Sequence, residues 1–240
     1  MTPMTRSIEE RIAALHWPDI EAAVGERGYA RTPRLLSAAE CRSLTALYGD
    51  DQRFRARIDM ARHGFGLGDY AYFAEPLPEP VAALRRALYA RLAPLANRMT
   101  EAMGGKVRYP KTLDAYRRRC HAAGQRRPTP LLLRYRAGGY NNLHRDLYGE
   151  LLFPLQAAAM LSRPGADYEG GEFLLVENRP RRQARGEAIA AEQGELLIFP
   201  VYERPVAGKR GILKAAMRHG VSRLHKGERY ALGIIFHDAA

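Results

Sequence analysis

The texture of the chain changes at Pro130, and that change sets the fold. Beyond it the apolar runs are short and closely spaced: 131–135 (LLLRY), 151–161 (LLFPLQAAAML), 172–177 (EFLLVE), 195–199 (ELLIF) and 230–236 (YALGIIF). Gly, Pro or Asn separates most of them. Runs this brief, punctuated by turn formers, predict the strands of a sandwich or barrel. Lys226-Gly227-Glu228 predicts a tight turn between two of them. Hydrophobic residues make up 46% of the chain, enough for a sizeable core. No stretch reaches the roughly 18 apolar residues of a membrane span.

Upstream the period is helical. Residues 8–27 predict an amphipathic helix or two, broken at Pro18. Residues 28–36 look extended. Ser37 and Glu40 have the S-x-x-E spacing of a capping box, so a helix starts at Ser37 and ends near Gly49. Residues 62–73 alternate Gly with aromatics and predict a flexible hairpin or loop. Val81, Leu84, Leu88 and Leu92 give 79–103 a helical stripe despite Pro94. Residues 104–130, rich in Gly, Pro and charge, predict a connection. The expected division is 1–103 as helical support, with 62–73 as a candidate lid, and 104–240 as a β core, the two forming one compact unit.

Net charge is +12, which raises nucleic acid as a partner. Two facts weaken that argument. Of the 38 basic residues 33 are Arg and 5 are Lys, a skew that GC-rich coding produces as readily as function does. Residues 1–120 and 121–240 each carry a net +6, so no basic tail exists. Cys41 and Cys120 do not make a disulfide scaffold. The N-terminal stretch has no apolar signal region, since Glu9, Glu10 and Arg11 interrupt it. These readings predict a reduced, cytoplasmic protein with no membrane segment.

The chemistry is concentrated in four residues: His144, Asp146, His219 and Arg229. Two imidazoles and a carboxylate hold a ferrous ion while leaving half its coordination sphere open. In an extended segment residues i and i+2 share a face, so His144 and Asp146 can point at one ion. His219 lies in a plausible strand that can face them. An H-x-D pair alone is common, and a strand His is more often packed or solvated than ligating. His225, His237, His16, His63 and His121 compete with His219 for the third position. His219 is preferred because Arg229 follows it. An α-keto acid chelating the metal presents a distal carboxylate, and Arg offers it a planar two-donor fork.

Residues 135–146 carry a fuller pattern. Tyr135, Gly138, Gly139, His144 and Asp146 resemble the Y-x-x-G-G-x-x-x-x-H-x-D motif of prolyl-4-hydroxylase-like Fe(II)/2-oxoglutarate oxygenases. Gly170-Gly171-Glu172-Phe173 resembles their G-G-E-[TF] strand, and Gly194-Glu195-Leu196-Leu197-Ile198-Phe199 their G-[DE]-a-l-x-F strand. His219 with Arg229 resembles the distal H-x₉-[KR], with Arg where Lys is more usual. Leu36-Ser37-Ala38-Ala39-Glu40-Cys41 resembles the family's opening segment. The resemblance implies a mainly β chain with flanking helices, folded as a double-stranded β-helix, or jelly roll. It implies Fe(II) on His144, Asp146 and His219, with O₂ and 2-oxoglutarate as co-substrates. It implies that Arg229 grips the distal carboxylate of 2-oxoglutarate, with the Tyr135 hydroxyl as second donor. The implied reaction is hydroxylation of a C–H bond with release of succinate and CO₂. No general base is required. More narrowly, RHGVSRLHKGERYALGIIFHDA and HRDLYGELLFPLQ resemble a bacterial oxygenase family assigned to oxidative removal of alkyl damage from DNA.

Two segments are candidates for meeting a nucleic acid. One holds Arg179, Arg181, Arg182 and Arg185; the other holds Arg204, Lys209, Arg210, Lys214 and Arg218. Tyr140, Tyr148, Phe65 and Tyr70 are candidates for stacking on a base. The alternatives are a prolyl, other protein or small-molecule hydroxylase of the same mechanism, and a non-catalytic jelly-roll binding module.

Overall fold

A computed structural model describes residues 6–209 and 211–240. The N-terminal third supplies α1 (Ile8–Ala13), α2 (Trp17–Arg27), β1 (Ala30–Arg31), α3 (Ala38–Ala46), β2 (Phe54–Asp59), β3 (Gly66–Leu67) and β4 (Asp69–Phe73). Two longer helices follow, α4 (Glu79–Ala102) and α5 (Leu113–Ala122). The remainder is β5 (Leu131–Arg136), β6 (Tyr140–His144), β7 (Leu155–Met160), β8 (Tyr168–Gly170), β9 (Phe173–Asn178), β10 (Arg185–Ile189), β11 (Leu196–Pro200), β12 (Glu203–Gly208), β13 (Gly211–Val221) and β14 (Leu224–Ile234).

The strands form two antiparallel sheets. The larger runs β1-β11-β7-β14-β5-β4-β2, with β8 on β14; the smaller runs β10-β9-β13-β6-β3, with β12 on β13. Their facing arrangement is the expected jelly roll. Its larger sheet is covered on both faces at β11. In β11, Leu196 and Ile198 join the core made with Leu84, Leu88 and Leu92 of α4, while Leu197 and Phe199 join a second core with Phe173 and Met217 of the smaller sheet. A strand buried on both faces reads as a continuous apolar run. That is why 195–199 stood out in the sequence. Strand β9, covered on one face, alternates buried with half-buried positions along its length.

The Ser37 capping box forms as the spacing predicts. The Ser37 hydroxyl accepts from the Glu40 N–H at 3.1 Å, and the Glu40 carboxylate accepts from the Ser37 N–H at 2.7 Å. The break within 8–27 falls at residues 14–16, ahead of Pro18, which sits in the first turn of α2 where its missing N–H costs nothing. Three expectations are corrected. Residues 104–130 contain α5, capped by the Thr112 hydroxyl. Residues 62–73 are largely strand: β3 pairs with β6 and β4 with β5. Lys226-Gly227-Glu228 is not a turn, because β14 runs through it and the hairpin turns at Ser222 and Arg223. Gly227 pairs with Tyr168 of β8 at φ 78, and a Cβ there would lie 2.0 Å from the Asp167 carbonyl oxygen. Among the described residues no helix is long and apolar enough to cross a membrane.

Candidate metal centre

β6 and β13 are neighbours, and their register sets His144 directly against His219. The two imidazole centroids lie 4.3 Å apart. Asp146 lies two residues past the end of β6. Its Oδ1 is 3.6 Å from His144 Nε2 and its Oδ2 is 3.3 Å from His219 Nε2. One donor atom from each residue falls within 4.8 Å of the other two. His144 and Asp146 thus converge as the i, i+2 spacing predicts, although Asp146 sits in the segment leaving the strand rather than on it.

Each side chain is held by its surroundings. His144 Nδ1–H donates to the Asn142 carbonyl at 2.8 Å, which leaves the Nε2 lone pair facing Asp146. His219 is buried against Phe173, stacked at 5.8 Å, and Phe199, at 5.0 Å. Burial lowers the His144 pKa, and the neighbouring His219 lowers it further. Burial alone would raise the Asp146 carboxyl, but the bond and charge of His219 and the charge of His144 hold it well below the ordinary carboxylate range. A neutral His144 beside an ionised Asp146 is the protonation state in which both can ligate. Two ring nitrogens and one carboxylate oxygen are also the donor set that suits a ferrous ion with open positions. The residues therefore fit the metal.

Two residues that the motif reading missed complete the support. The Tyr148 hydroxyl donates to Asp146 Oδ1 at 2.6 Å, and Gln156 Nε2 donates to Oδ2 at 2.9 Å. The signal for Gln156 was present. It is the one amide in the apolar run LLFPLQAAAML, and a lone polar side chain in a core strand needs a polar partner.

The cavity at the triad has a volume of about 350 Å³, and its lining includes Arg229, Tyr135, Met160, Tyr70, Tyr148 and Ile235. Arg229 on β14 stands in register with Tyr135 on β5. It is 2% exposed, yet it forms no ion pair among the described residues. Its Nε has no hydrogen-bond partner, and its Nη2 faces only the Met160 sulfur, at 3.2 Å. The guanidinium lies 5.6 Å from the Tyr135 ring centroid and 5.9 Å from that of Tyr168. Tyr135 is fully buried, its hydroxyl accepts from Asn141 Nδ2 at 3.2 Å, and burial pushes its pKa up to about 12.

The remaining histidines lie elsewhere. His16 pairs with Asp19 at 3.0 Å and His121 with Asp238 at 2.8 Å, so both have a carboxylate that their sequence spacing did not suggest. His63 stacks on Phe65, His225 is exposed, and His237 is buried.

Arg204 is a correction: it is 1% exposed, bonded to Glu177 Oε2 at 2.6 Å and to the Gly25 and Glu26 carbonyls at the end of α2. It anchors a helix and cannot meet a phosphate. Arg179 is held by Glu177, and Arg185 pairs with Glu187 at 2.8 Å. Arg181, Arg182, Lys209 and Lys214 are exposed, Arg218 is half-buried, and Arg210 lies outside the described residues. Of the stacking candidates, Phe65 and Tyr70 line the cavity, Tyr148 does so while bonded to Asp146, and Tyr140 lies beneath Arg223.

Comparison with known proteins agrees with this geometry. Residues 68–239 match a family described as "Oxygenase, catalysing oxidative methylation of damaged DNA". An uncharacterized protein of Mycobacterium tuberculosis is 49% identical over 168 residues, which is 70% of this chain and 72% of that one. Among solved structures, a prolyl-4-hydroxylase of Pseudomonas putida superposes with TM-score 0.52 at 14% identity, covering 93% of this chain and 100% of its own. A Trichoplax adhaerens prolyl hydroxylase, in complex with a hypoxia inducible factor peptide, gives TM-score 0.55 at 14% identity, covering 99% and 94%. The α-ketoglutarate-dependent epimerase SnoN of nogalamycin biosynthesis gives 0.56 at 15%, covering 90% and 80%. At these identities the structures share the fold.

Proposed function

This chain belongs to the family of oxygenases described as acting on damaged DNA, and from that premise we propose that it is an Fe(II)/2-oxoglutarate-dependent dioxygenase that oxidises methyl groups on damaged nucleic-acid bases. An oxygenase acts on a C–H bond that is already there. One oxygen atom of O₂ enters that bond as hydroxyl, and the other enters succinate as 2-oxoglutarate loses CO₂. A methyl group on a base nitrogen, once hydroxylated, leaves as formaldehyde, so the net effect is demethylation.

The observation that carries the reading is Arg229. A buried guanidinium without a counter-ion is costly. Here it shares a cavity with three metal donors, and a dicarboxylate spanning the two removes the cost. Arg229 would take the distal carboxylate through its paired N–H groups, with Tyr135 beside it. His144, Asp146 and His219 would hold Fe(II), which supplies O₂ activation when bound. The chain's own part is positional. Phe173 and Phe199 wall off His219 on the apolar side, Asn142 fixes the His144 tautomer, and Tyr148 and Gln156 fix the carboxylate. No residue is asked to act as acid or base.

The test is 2-oxoglutarate turnover with Fe(II) across a panel of methylated single-stranded oligonucleotides and proline-containing peptides. Succinate release stimulated by a methylated oligonucleotide, lost in His144→Ala, Asp146→Ala or His219→Ala, is the expected result. Turnover that survives His219→Ala would remove the third ligand. Stimulation by peptides alone would move the substrate to protein.

A further inference from the structure

The motif segment that carries the metal ligands also builds a second feature, on the opposite face of the larger sheet. Strand alternation separates the two. Tyr135 lines the metal cavity, while Arg134 and Arg136 on either side of it line an open groove of about 700 Å³. The turn at Gly138 and Gly139 continues the groove, and the chain re-enters the cavity at Asn141. The segment before β4 divides in the same way. Arg62 and His63 line the groove; Gly64 and Phe65 line the cavity. The His63 and Phe65 rings stack with centroids 5.3 Å apart, and Phe65 is 47% exposed. One pair of stacked rings therefore stands between groove and cavity mouth.

The groove is cationic, with five arginines against Asp59 and Asp69. Arg57 and Arg134 are engaged in its wall, bonded to Asp51 and Asp69 and packed on the Tyr48 ring. Three others face outward. Arg223 is exposed and has no acidic partner among the described residues; it donates to the Gly138 carbonyl and lies over Tyr140. Arg62 meets Asp59 at 3.5 Å with its side chain 82% exposed, and Arg136 meets Glu228 at 3.1 Å with its side chain 66% exposed. Exposed pairs of this kind are weak, so a phosphate displaces the carboxylate at little cost.

We infer that this groove carries the phosphodiester backbone of a single-stranded nucleic-acid substrate, and that the strand turns over His63 and Phe65 to deliver one base to the metal cavity. The inference rests on the nucleic-acid reading of that cavity. A paired base cannot make the turn, because groove and cavity lie on opposite faces of one sheet, so the reacting base must be out of the stack. The arginines at 179–185 do not serve this path. They flank β10, at the opposite edge of the smaller sheet from β3.

The experiment compares three proteins binding a fluorescein-labelled oligothymidylate across a salt series. They are wild type, the groove variant Arg62→Gln/Arg136→Gln/Arg223→Gln, and a charge-matched control, Arg181→Gln/Arg182→Gln/Arg185→Gln. Three lost contacts at about 0.7 each should take ~2 off the slope of log affinity against log salt. The groove variant should show that loss, with an unchanged thermal midpoint, and the control should not. In wild type, 5-iodouracil in the oligonucleotide should cross-link to the peptide containing His63 and Phe65. An unchanged slope in the groove variant, or cross-links confined to 179–185, would overturn the groove while leaving a nucleic-acid substrate in place. Wild type that shows no salt-dependent binding would overturn the nucleic-acid reading and the groove with it.

Discussion

Gln156 reaches across from β7 to place its amide nitrogen 2.9 Å from Asp146 Oδ2, and Tyr148 occupies Oδ1 from the other side at 2.6 Å. Both oxygens of the one carboxylate ligand are thus tethered before any metal arrives. Losing such a tether typically weakens metal binding about 10–100-fold. Gln156→Ala and Tyr148→Phe should each do so, read by calorimetric titration with Mn(II) or anaerobic Fe(II). The Co(II) absorption bands should shift as well, since the carboxylate can then rotate. Affinity and spectrum identical to wild type in both variants would show that Asp146 needs neither partner.

Arg229 should govern the co-substrate and not the metal. A charge-assisted hydrogen bond to a carboxylate is worth ~1.5–3 kcal/mol, so Arg229→Ala should raise the 2-oxoglutarate requirement about 10–100-fold. Metal affinity should be unaffected, and Arg229→Lys should recover part of the loss. Thermal shift adds a second readout. Arg229→Met removes a buried unpaired charge, so its ligand-free midpoint should not fall, but the stabilisation by 2-oxoglutarate seen in wild type should vanish. An unchanged requirement in Arg229→Ala would assign the carboxylate to another cation.

Arg204 gives the opposite outcome to a groove arginine. Its guanidinium joins Glu177 to the last carbonyls of α2, all of it buried. Breaking a buried pair costs ~3–5 kcal/mol; here Glu177 is left with Arg179 alone, and the α2 carbonyls lose their donor. At roughly 2–4 °C per kcal/mol, Arg204→Ala should lower the thermal midpoint by about 6–20 °C. Its oligonucleotide salt slope, measured below the transition, should equal that of wild type. A slope change with an intact midpoint would return Arg204 to the surface.

The contrast between Arg204 and Arg223 marks where sequence reading stops. The candidate metal ligands were legible because ligation demands residue types, and only a few arrangements of His and Asp supply them. Burial of an arginine demands nothing local. Arg204 is buried because α2, some 180 residues earlier in the chain, ends against it; Arg223 is exposed because nothing does. The same limit explains Gly227. Lys-Gly-Glu has turn chemistry, but the glycine answers to the Asp167 carbonyl just ahead of β8, a strand that pairs with β14 only in the fold. α5 was hidden for a different reason. Leu113, Tyr116 and Cys120 are its only buried positions, a stripe too thin to stand out in a charged segment, although Thr112 was available as its cap. Gln156 is legible as the lone amide of an apolar run.

The last prediction concerns His237, which closes the end of the larger sheet. It is fully buried, its Nδ1 accepts from the Phe153 N–H at 3.3 Å, and its Nε2 has no partner. Burial lowers its pKa from 6.5 to about 4, against the pull of Asp146 and Asp238. The folded protein therefore holds it neutral where the unfolded chain would protonate it. Stability from this residue is complete above the unfolded pKa and is lost as pH falls from about 6.5 toward 4, amounting to ~2 kcal/mol by pH 5. The metal-free protein should melt lower at pH 5 than at pH 7. His237→Asn, which keeps an acceptor near Phe153 but cannot titrate, should be less stable at pH 7 and should show a smaller drop between the two. His144 shifts in the same direction and is unchanged by the substitution, so the difference between the two proteins isolates His237. Equal drops would mean that the imidazole is protonated in the fold, or that its side chain reaches water.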